Sequence, residues 1–437
     1  MSAVVFPRYE NYKDSGVDWM GEVPASWERV ANKHLFKLRK TQVGKHSSEY
    51  DLLSLTLGGI IKRDMENPEG KFPAEFDTYQ EVRPGDFVFC HFDVEETPRT
   101  VGLSRFHGMI TGAYTVYELA ADANTSFLYY FYLNADTDKK LRGLYKGLRN
   151  TIPKDSFGAF KTPLPPLPEQ HAIAVFLDKK CAKIDEAVRI KEEQIKLLRE
   201  RRQILIQQAV TRGLNPDAPM KDSGIDWIGQ IPAHWEVKQF KHLLSIPLKY
   251  GANEEAKEYV EGDPRYIRIT DFGTNGKLKE NTKRTLPRKI AGDYLLEKGD
   301  ILLARSGGTV GKSFLFAEDM EACFAGYLIM ARCDREKILN RYMNLFLRAP
   351  SFEHWKELIF SRATIQNIGA DKYGALLLPV PPISEQHFIL RYAENLNTKL
   401  DRAISIKQNQ ITALKEYKTT LINAAVTGKI KITEDML

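Results

Sequence analysis

Residues 306–313 read SGGTVGKS and follow the apolar run ILLAR. The spacing nearly fits a phosphate-binding loop, GxxxxGK with Ser or Thr last, whose glycines let backbone N–H groups close on phosphate. Ser306 stands where the first glycine belongs, and no acidic magnesium-binding strand follows. The same residues suit a second chemistry. Arg305, Thr309 and Lys312 on a glycine-rich turn could approach a DNA backbone, where cations and N–H groups meet phosphate. Two further clusters carry positive charge. Lys139, Lys140, Arg142, Lys146, Arg149 and Lys154 lie close together beside Tyr145 and Asn150. Lys277, Lys279, Lys283, Arg284, Arg288 and Lys289 form the second cluster, diluted by Glu280. Arg, Lys and Asn can hold phosphates or read base edges. A charge run is also the ordinary make-up of a solvated loop, so these residues are candidates for DNA contact.

Other chemistries are poorly served. The nine histidines do not fall at metal-ligand spacing with Cys, Asp or Glu, so no metal site is expected. The four cysteines (Cys90, Cys181, Cys323, Cys333) form no CxxC pair and are too few for a disulfide framework. There is no [DNS]PP[YF] motif for amino methylation and no nuclease carboxylate–lysine cluster.

The elements that must position the candidates announce themselves by repetition. Residues 13–28 read KDSGVDWMGEVPASWE, and residues 221–236 read KDSGIDWIGQIPAHWE, an offset of 208. A second pair begins LPPLPEQHAIAVFL near 164 and PVPPISEQHFILRY near 379. There the offset is 216, and it holds without a gap from Glu169-Gln170-His171 to Ala209-Val210-Thr211. Between these elements lie two variable stretches, 31–163 and 239–378. They share only echoes, such as Gly85-Asp86 with Gly299-Asp300, and Phe157-Gly158-Ala159 with Tyr373-Gly374-Ala375. Two copies of a scaffold are kept alike while the modules they carry differ.

The scaffold is helical. Leu177, Cys181, Ile184, Val188, Ile195, Leu198, Leu205 and Ala209 step alternately by four and three, with Lys191 and Arg202 completing a coiled-coil seam. The second copy gives Ala393, Leu400, Ile404, Ile411, Leu414, Leu421 and Ala425, with Asn397, Lys407 and Lys418 as polar seam positions. A charged seam residue fixes register or faces a partner, or else its stem snorkels to solvent. Prolines 165, 166 and 168 precede the first helix; Ser384 and Glu385 suit the second helix's N-terminus; Gly213 and Gly428 lie near the ends. About 45 residues at 1.5 Å each predict helices of about 68 Å. Antiparallel packing would place the two modules at opposite ends of a rod, related by an approximate two-fold axis.

The elements KDSGxDWxGxxPxxWE and PLPEQ or PxSEQ, each followed by a long helix and set twice around dissimilar modules, resemble the specificity subunit of type I restriction–modification systems. The resemblance covers essentially the whole chain. It implies a non-catalytic subunit with two mixed α/β target recognition domains, separated by two long antiparallel coiled-coil helices in a pseudo-two-fold tandem repeat. Each domain would read one half of a gapped, asymmetric site on double-stranded DNA. The helices would set the gap and dock methyltransferase subunits, which carry S-adenosylmethionine. A restriction translocase–nuclease subunit would join for cleavage. No cofactor is expected on this chain.

On this reading residues 1–163 hold the first recognition domain with its repeat element, and 164–214 the first spacer helix. Residues 215–378 hold the second domain with its element, and 379–437 the second helix. Strand-like runs at Leu52–Leu57, Asp86–His91 and Ala113–Leu119 precede a helix-like stretch at Phe127–Leu133. Tyr266–Thr270, Asp300–Ala304, Tyr327–Ala331 and a helical pattern at Lys337–Leu347 follow the same order. Trp19, Trp27, Trp227 and Trp235 are four of five tryptophans, and all sit in the repeated element. Residues shared by both halves cannot explain different half-sites, so they are expected to be packing anchors. His171 and His387 are matched too and are expected to pack or cap.

Composition sets the outer limits. At 437 residues, 43% hydrophobic and 27% charged, the chain suits about two to four folded domains. No run reaches the ~18–20 apolar residues of a membrane span, and residues 1–16 do not read as a signal peptide. A cytoplasmic location follows as the expectation. A net charge of +6 permits a nucleic-acid partner without demanding one. Two alternatives stay open: a coiled-coil adaptor that never touches DNA, and a nucleotide-binding protein built on SGGTVGKS.

Overall fold

The computed structural model describes residues 6–65, 75–273, 276–360 and 366–437. The chain divides into two compact units, Met1–Lys191 with Asn409–Leu437, and Glu192–Gln408. Each unit holds one repeated element, one variable module and a part of each long helix. The helices are therefore shared by the two units. Among the described residues no helix is long and apolar enough to cross a membrane.

In the first unit β1 (Tyr12–Asp14) pairs antiparallel with β2 (Glu22–Pro24), and β3 (Glu28–Ala31) leads into the module. There follow β4 (Phe36–Leu38), β5 (Leu53–Thr56), β6 (Gly59–Lys62), β7 (Gln80–Val82), β8 (Phe87–Phe89), β9 (Val101–Leu103), β10 (Gly108–Ile110) and β11 (Thr115–Leu119). Then come α1 (Thr125–Thr137), α2 (Lys154–Ala159), β12 (Lys161–Leu164) and the first long helix, α3 (Leu167–Arg212). The main sheet is antiparallel in the order β4-β11-β8-β9. Aromatic residues fill its core: Phe36 meets Phe87 at 5.2 Å between ring centroids, and Phe89 meets Phe157 at 4.9 Å. Each such side chain contributes about 1.5–3 kcal/mol by leaving water. The Asn124 side chain accepts from Phe127 N at 2.8 Å and caps α1, which explains where that aromatic helix begins.

The second unit repeats the plan. β13 (Met220–Asp222) pairs with β14 (Gln230–Pro232), and β15 (Glu236–Gln239) enters the module. β16 (Lys249–Tyr250), β17 (Arg265–Ile267), β18 (Ile301–Ala304), β19 (Ser313–Leu315), β20 (Ala322–Phe324) and β21 (Leu328–Ala331) follow. They lead to α4 (Asn340–Phe346), α5 (Pro350–Phe360), α6 (Ala370–Ala375), β22 (Leu377–Val380) and the second long helix, α7 (Ile383–Val426). The main sheet runs β16-β21-β18-β19, the same order as in the first module. The smaller pairs differ: β7 and β10 are antiparallel, whereas β17 and β20 are parallel.

The first of the faint echoes between the modules now has a physical reason. Gly85 and Gly299 turn the chain at φ of +91° and +106°, where L side chains are strained. The next residue, Asp86 or Asp300, is buried and receives an arginine: Arg39 Nε at 2.8 Å in one module, Arg332 Nε at 2.8 Å in the other. Those hydrogen bonds hold both guanidinium pKa values above the ordinary range. The second echo sets Gly158 in α2 and Gly374 in α6 at matching places, each with room for a side-chain carbon at ordinary contact distance. A Cβ at either glycine would lie 3.5–3.6 Å from the Cβ of Lys33 or Lys241.

The repeated scaffold motifs bind one another. Trp27 and Trp235 are wholly buried, and their indole N–H groups donate to Glu169 at 2.8 Å and Glu385 at 2.9 Å. Gln170 and Gln386 are buried beside them. Each side-chain carbonyl accepts a module N–H at 2.8 Å, from Asn124 or Leu339. Gly428 packs on Pro24 and Trp27, and Gly213 on Pro232 and Trp235. Each repeated element thus joins the start of one long helix to the end of the other.

The seam forms as the spacing predicts. Leu177, Cys181, Ile184, Val188 and Ile195 are buried, as are Ala393, Leu400, Ile404, Leu421 and Ala425. Ile184 shares a core with Leu421 and Ala425, and Ile206 with Ile389, so the helices pack antiparallel within each unit. Two of the four charged seam residues, Lys418 and Arg202, are explained too. Lys418 donates to Asp185 at 2.6 and 2.7 Å, and Arg202 pairs with Asp401. The offset of 216 carries one ion pair onto the other.

Candidate nucleic-acid interface

In each module the central strand of the sheet runs into a loop, and a later segment closes on it. Ile152 N donates to the His91 carbonyl at 2.8 Å; Ile368 N donates to the Arg305 carbonyl at 2.8 Å. These bonds tie the loop after β8 to the segment entering α2, and the loop after β18 to the segment entering α6. The candidate residues gather here.

In the first module residues 146–151 form a hairpin held by Lys146 and Thr151, which exchange backbone bonds of 2.8 and 3.1 Å. Gly147 and Asn150 both have positive φ, +71° and +43°. Leu148 at the tip is fully exposed, and Lys146 is exposed beside it. Arg149 grips Asp93 through two nitrogens, Nε at 2.9 Å, and lies over the Phe92 ring. Arg142 grips Glu95 at 2.5 and 3.1 Å, and the Asn150 amide donates to Glu96 at 3.3 Å. The arginines hold the Asp93 and Glu95 carboxyls below the usual carboxylate range. Such a forked pair presents its remaining N–H groups in a fixed plane. The carboxylates themselves could accept from a cytosine amino group. Lys154 is exposed in the first turn of α2.

Two lysines of this cluster are spent inside the fold. Lys139 Nζ donates to Asp136 and to the Thr97 carbonyl, both at 2.7 Å. Lys140 Nζ donates to Asn134 at 2.9 Å and Asn423 at 3.1 Å and lies over Trp19. Their ammonium groups serve internal ties, and both side chains are little exposed.

Beneath the hairpin, His91 stacks on Phe89 with centroids 5.5 Å apart and meets the tilted Phe157 ring at 4.9 Å. Both ring nitrogens are buried without a partner. Burial pushes its pKa down to about 4, with Lys154 adding to the effect, so the ring is neutral.

In the second module SGGTVGKS closes the hairpin from β18 to antiparallel β19. Gly311 N donates to the Ala304 carbonyl at 2.9 Å, and Gly307 and Gly311 take φ of +77° and +84°. The loop ends in a strand, whereas a phosphate-binding loop ends on a helix N-terminus. The nucleotide-binding alternative is therefore withdrawn. Arg305 stacks on Tyr250, 4.8 Å from its centroid, and its N–H donates to the carbonyl of exposed Tyr327. Lys312 is exposed, and Thr309 is half-buried.

The cluster at 277–289 reaches this loop through β17 and residues 325–327: Tyr266 N donates to the Arg284 carbonyl at 2.9 Å, Ala325 N to the Ile267 carbonyl at 3.0 Å and Arg305 N to the Tyr327 carbonyl at 3.1 Å. Lys279 Nζ donates to the Thr270 carbonyl at 3.0 Å; Lys283 pairs with Glu280 at 2.7 Å, and Arg284 with Glu258 at 3.4 Å. Arg288 is held by Glu321 through two bonds of 2.7 Å. The Lys277 carbonyl accepts from Gly273 N at 2.9 Å, which turns the chain there.

Asp93, Glu95, Glu96, Leu148, Tyr250 and Tyr327 were not among the sequence candidates. Acidic residues carry no nucleic-acid signal of their own. The tyrosines lie far in sequence from the arginine they surround.

Residues 232–416 match the family described as the type I restriction modification DNA specificity domain. The chain is 26% identical to the type I restriction enzyme MjaVIII specificity subunit of Methanocaldococcus jannaschii, over 70% of each chain. It is 24% identical to the putative type I restriction enzyme MjaX specificity subunit of the same organism, over 98% of each. A solved chain from work on complex assembly and conformational transition of the type I R-M system shares the fold. Its TM-score is 0.65 at 16% identity, over 92% of this chain and 98% of that one. With its duplicated elements and its two like-ordered modules, the chain is similar to type I restriction–modification specificity subunits.

Proposed function

We propose that this chain recognises DNA for a type I restriction–modification complex, each module reading one half of a gapped, asymmetric site. One observation carries this. The modules share a sheet order and a loop-to-segment bond, His91 with Ile152 and Arg305 with Ile368, yet fill that place with different side chains. A common frame with different contents is what two readers of different sequences need. In the first module Lys146, Arg149, Asn150, Lys154 and Arg142 face DNA. In the second Arg305, Thr309 and Lys312 do, with Lys277, Lys279, Lys283 and Arg284 beside them.

The chain binds and positions; it transforms nothing itself. Methyltransferase subunits dock on the scaffold and bring S-adenosylmethionine to an adenine, and a restriction translocase–nuclease subunit supplies cleavage. The long helices set the gap between half-sites. The test is a map of N6-methyladenine in cells making this chain with its methyltransferase, against cells making the methyltransferase alone. A two-part gapped motif that depends on this chain is the expected result. If the complex assembles and no motif appears, the chain is a coiled-coil adaptor.

A further inference from the structure

Leu148 stands at the tip of the hairpin 146–151 and is the most exposed large apolar side chain among the described residues. A single leucine in water is common on protein surfaces. This one is set apart by how firmly it is held out. Gly147 and Asn150, both at positive φ, turn the chain on either side of Leu148 and Arg149. Below them the hairpin is pinned to the loop after β8. Asp93 N donates to the Arg149 carbonyl at 2.8 Å, and Val94 N to the Asn150 carbonyl at 3.4 Å. The Arg149 guanidinium closes on the Asp93 carboxylate and lies over the Phe92 ring, 5.6 Å from its centroid. The Asn150 amide reaches Glu96. Backbone and side-chain bonds together fix the segment that presents Leu148, so little freedom is left to lose on binding.

The surroundings of the tip narrow what it can meet. Lys146 and Lys154 are exposed beside it, and Arg142 and Arg149 keep more than half of their side chains in water. A protein partner covers a broad patch with an apolar centre. Here the flanks of the leucine are cationic, which complements the phosphates that line a DNA groove. A two-stranded hairpin fits the major groove, about 12 Å wide, and not the minor groove of about 6 Å. On the floor of the major groove the apolar group is the C5-methyl of thymine. Arg142 and Arg149 are already joined to Glu95 and Asp93, so the hairpin brings little net charge to that floor. Contact with base edges, rather than with phosphates, suits such a tip.

We infer that Leu148 reads a thymine of the first half-site by covering its C5-methyl group. The inference rests on the reading above, in which this module reads one half of the site. It gives Leu148 a role that the cations around it do not have. A cation meets phosphate at any sequence, whereas a leucine against a methyl group favours thymine over cytosine at one position.

The test uses the complex of this chain with its methyltransferase, and a duplex carrying the two-part motif found in the methylome. Each thymine of the first half-site, on either strand, is replaced in turn by deoxyuridine, which pairs alike and lacks only the methyl group. One replacement should raise the wild-type Kd by about fourfold, the contribution of one buried methyl group. Leu148→Ala should bind the thymine duplex several-fold more weakly and lose nothing further on that deoxyuridine duplex. Its side chain is exposed, so the variant should melt at the wild-type Tm. If no replacement weakens wild-type binding, or if the loss persists in full in Leu148→Ala, the assignment is overturned and the recognition reading stands. If deoxyuridine changes nothing but 2-aminopurine in the half-site brightens on binding and Leu148→Ala abolishes that, the side chain is wedged between bases, and the assignment again falls. A wild-type complex that does not prefer its motif to an unrelated duplex overturns both.

Discussion

Arg305 illustrates what a single residue can do at this surface. Its guanidinium lies over the Tyr250 ring, and its backbone is fixed by Tyr327 and Ile368. A cation held in place by stacking loses little freedom on meeting a phosphate. Lys312, on the other side of the same loop, is a mobile point charge. Replacing both by alanine should weaken binding to a gapped duplex. If each meets one phosphate, the slope of log affinity against log salt should flatten by about 2. An unchanged slope would remove this loop from the interface. His91 makes a different prediction. An ordinary imidazole titrates near 6.5, while this one is pushed down to about 4. Above pH 6.5 both folded and unfolded forms are neutral, and the group costs nothing. As pH falls from 6.5 to 4 the unfolded chain takes up the proton first, so stability is lost, by about 3 kcal/mol at most. His91→Phe keeps the stack and the backbone carbonyl, so its melting temperature should fall less over that range. The basic clusters were legible in the sequence, but their acidic partners were not. Asp93 and Glu95 lie about fifty residues from Arg149 and Arg142 and meet them only through the fold.

At the scale of elements the long helices were the most legible part, because a buried seam imposes its period on sequence directly. Less legible was the purpose of Arg202 and Lys418, since register, a partner and snorkelling all fit a charge in a seam. Asp185 and Asp401 decide it. They sit outside the apolar pattern, and only antiparallel packing brings them to the charged seam residues. Pairs this exposed contribute only about 0.2–1 kcal/mol each, so their value lies in register. Lys418→Asp should lower the unfolding midpoint, and adding Asp185→Lys should restore most of the loss. A double-mutant cycle measures the coupling, and a zero value would leave the pair without a role. If the helices set the gap, a heptad inserted into both of them adds about 10 Å of helix. The gap in the methylated motif should then lengthen by about three base pairs, at 3.4 Å each. An unchanged gap would show that the ruler lies elsewhere. The short strands were found in nearly the right places. Their pairing was not foreseeable, because three-residue strands carry no signal for the sense of their partner: β7–β10 is antiparallel and β17–β20 parallel.

At the scale of the whole molecule, the way each module is attached makes exchange physically reasonable. The first module is entered through β3 and left through β12, which pair antiparallel from Glu28 with Leu164 to Ala31 with Lys161. The second is entered through β15 and left through β22, with Glu236 opposite Val380 and Gln239 opposite Leu377. Each module therefore stands on a two-stranded stem whose ends are neighbours, so a replacement must match that stem and the face packed on the long helices, where Tyr342 donates to the Val210 carbonyl and Tyr130 to Asp178. Buried Gln170 and Gln386 add contacts across the joint that are common to both units, and both bond backbone groups, Asn124 N and Leu339 N, that an incoming module of this fold can offer. Exchanging residues 239–378 for the module of another specificity subunit should leave the thermal stability of the first unit within a few degrees of wild type. In the methylome it should change one half of the recognised motif and preserve both the other half and the gap. A change in both halves would mean that one module's contacts depend on the other. A change in neither would place the reading residues outside the module and return the basic loops at 277–289 and 305–312 to the status of ordinary solvated surface.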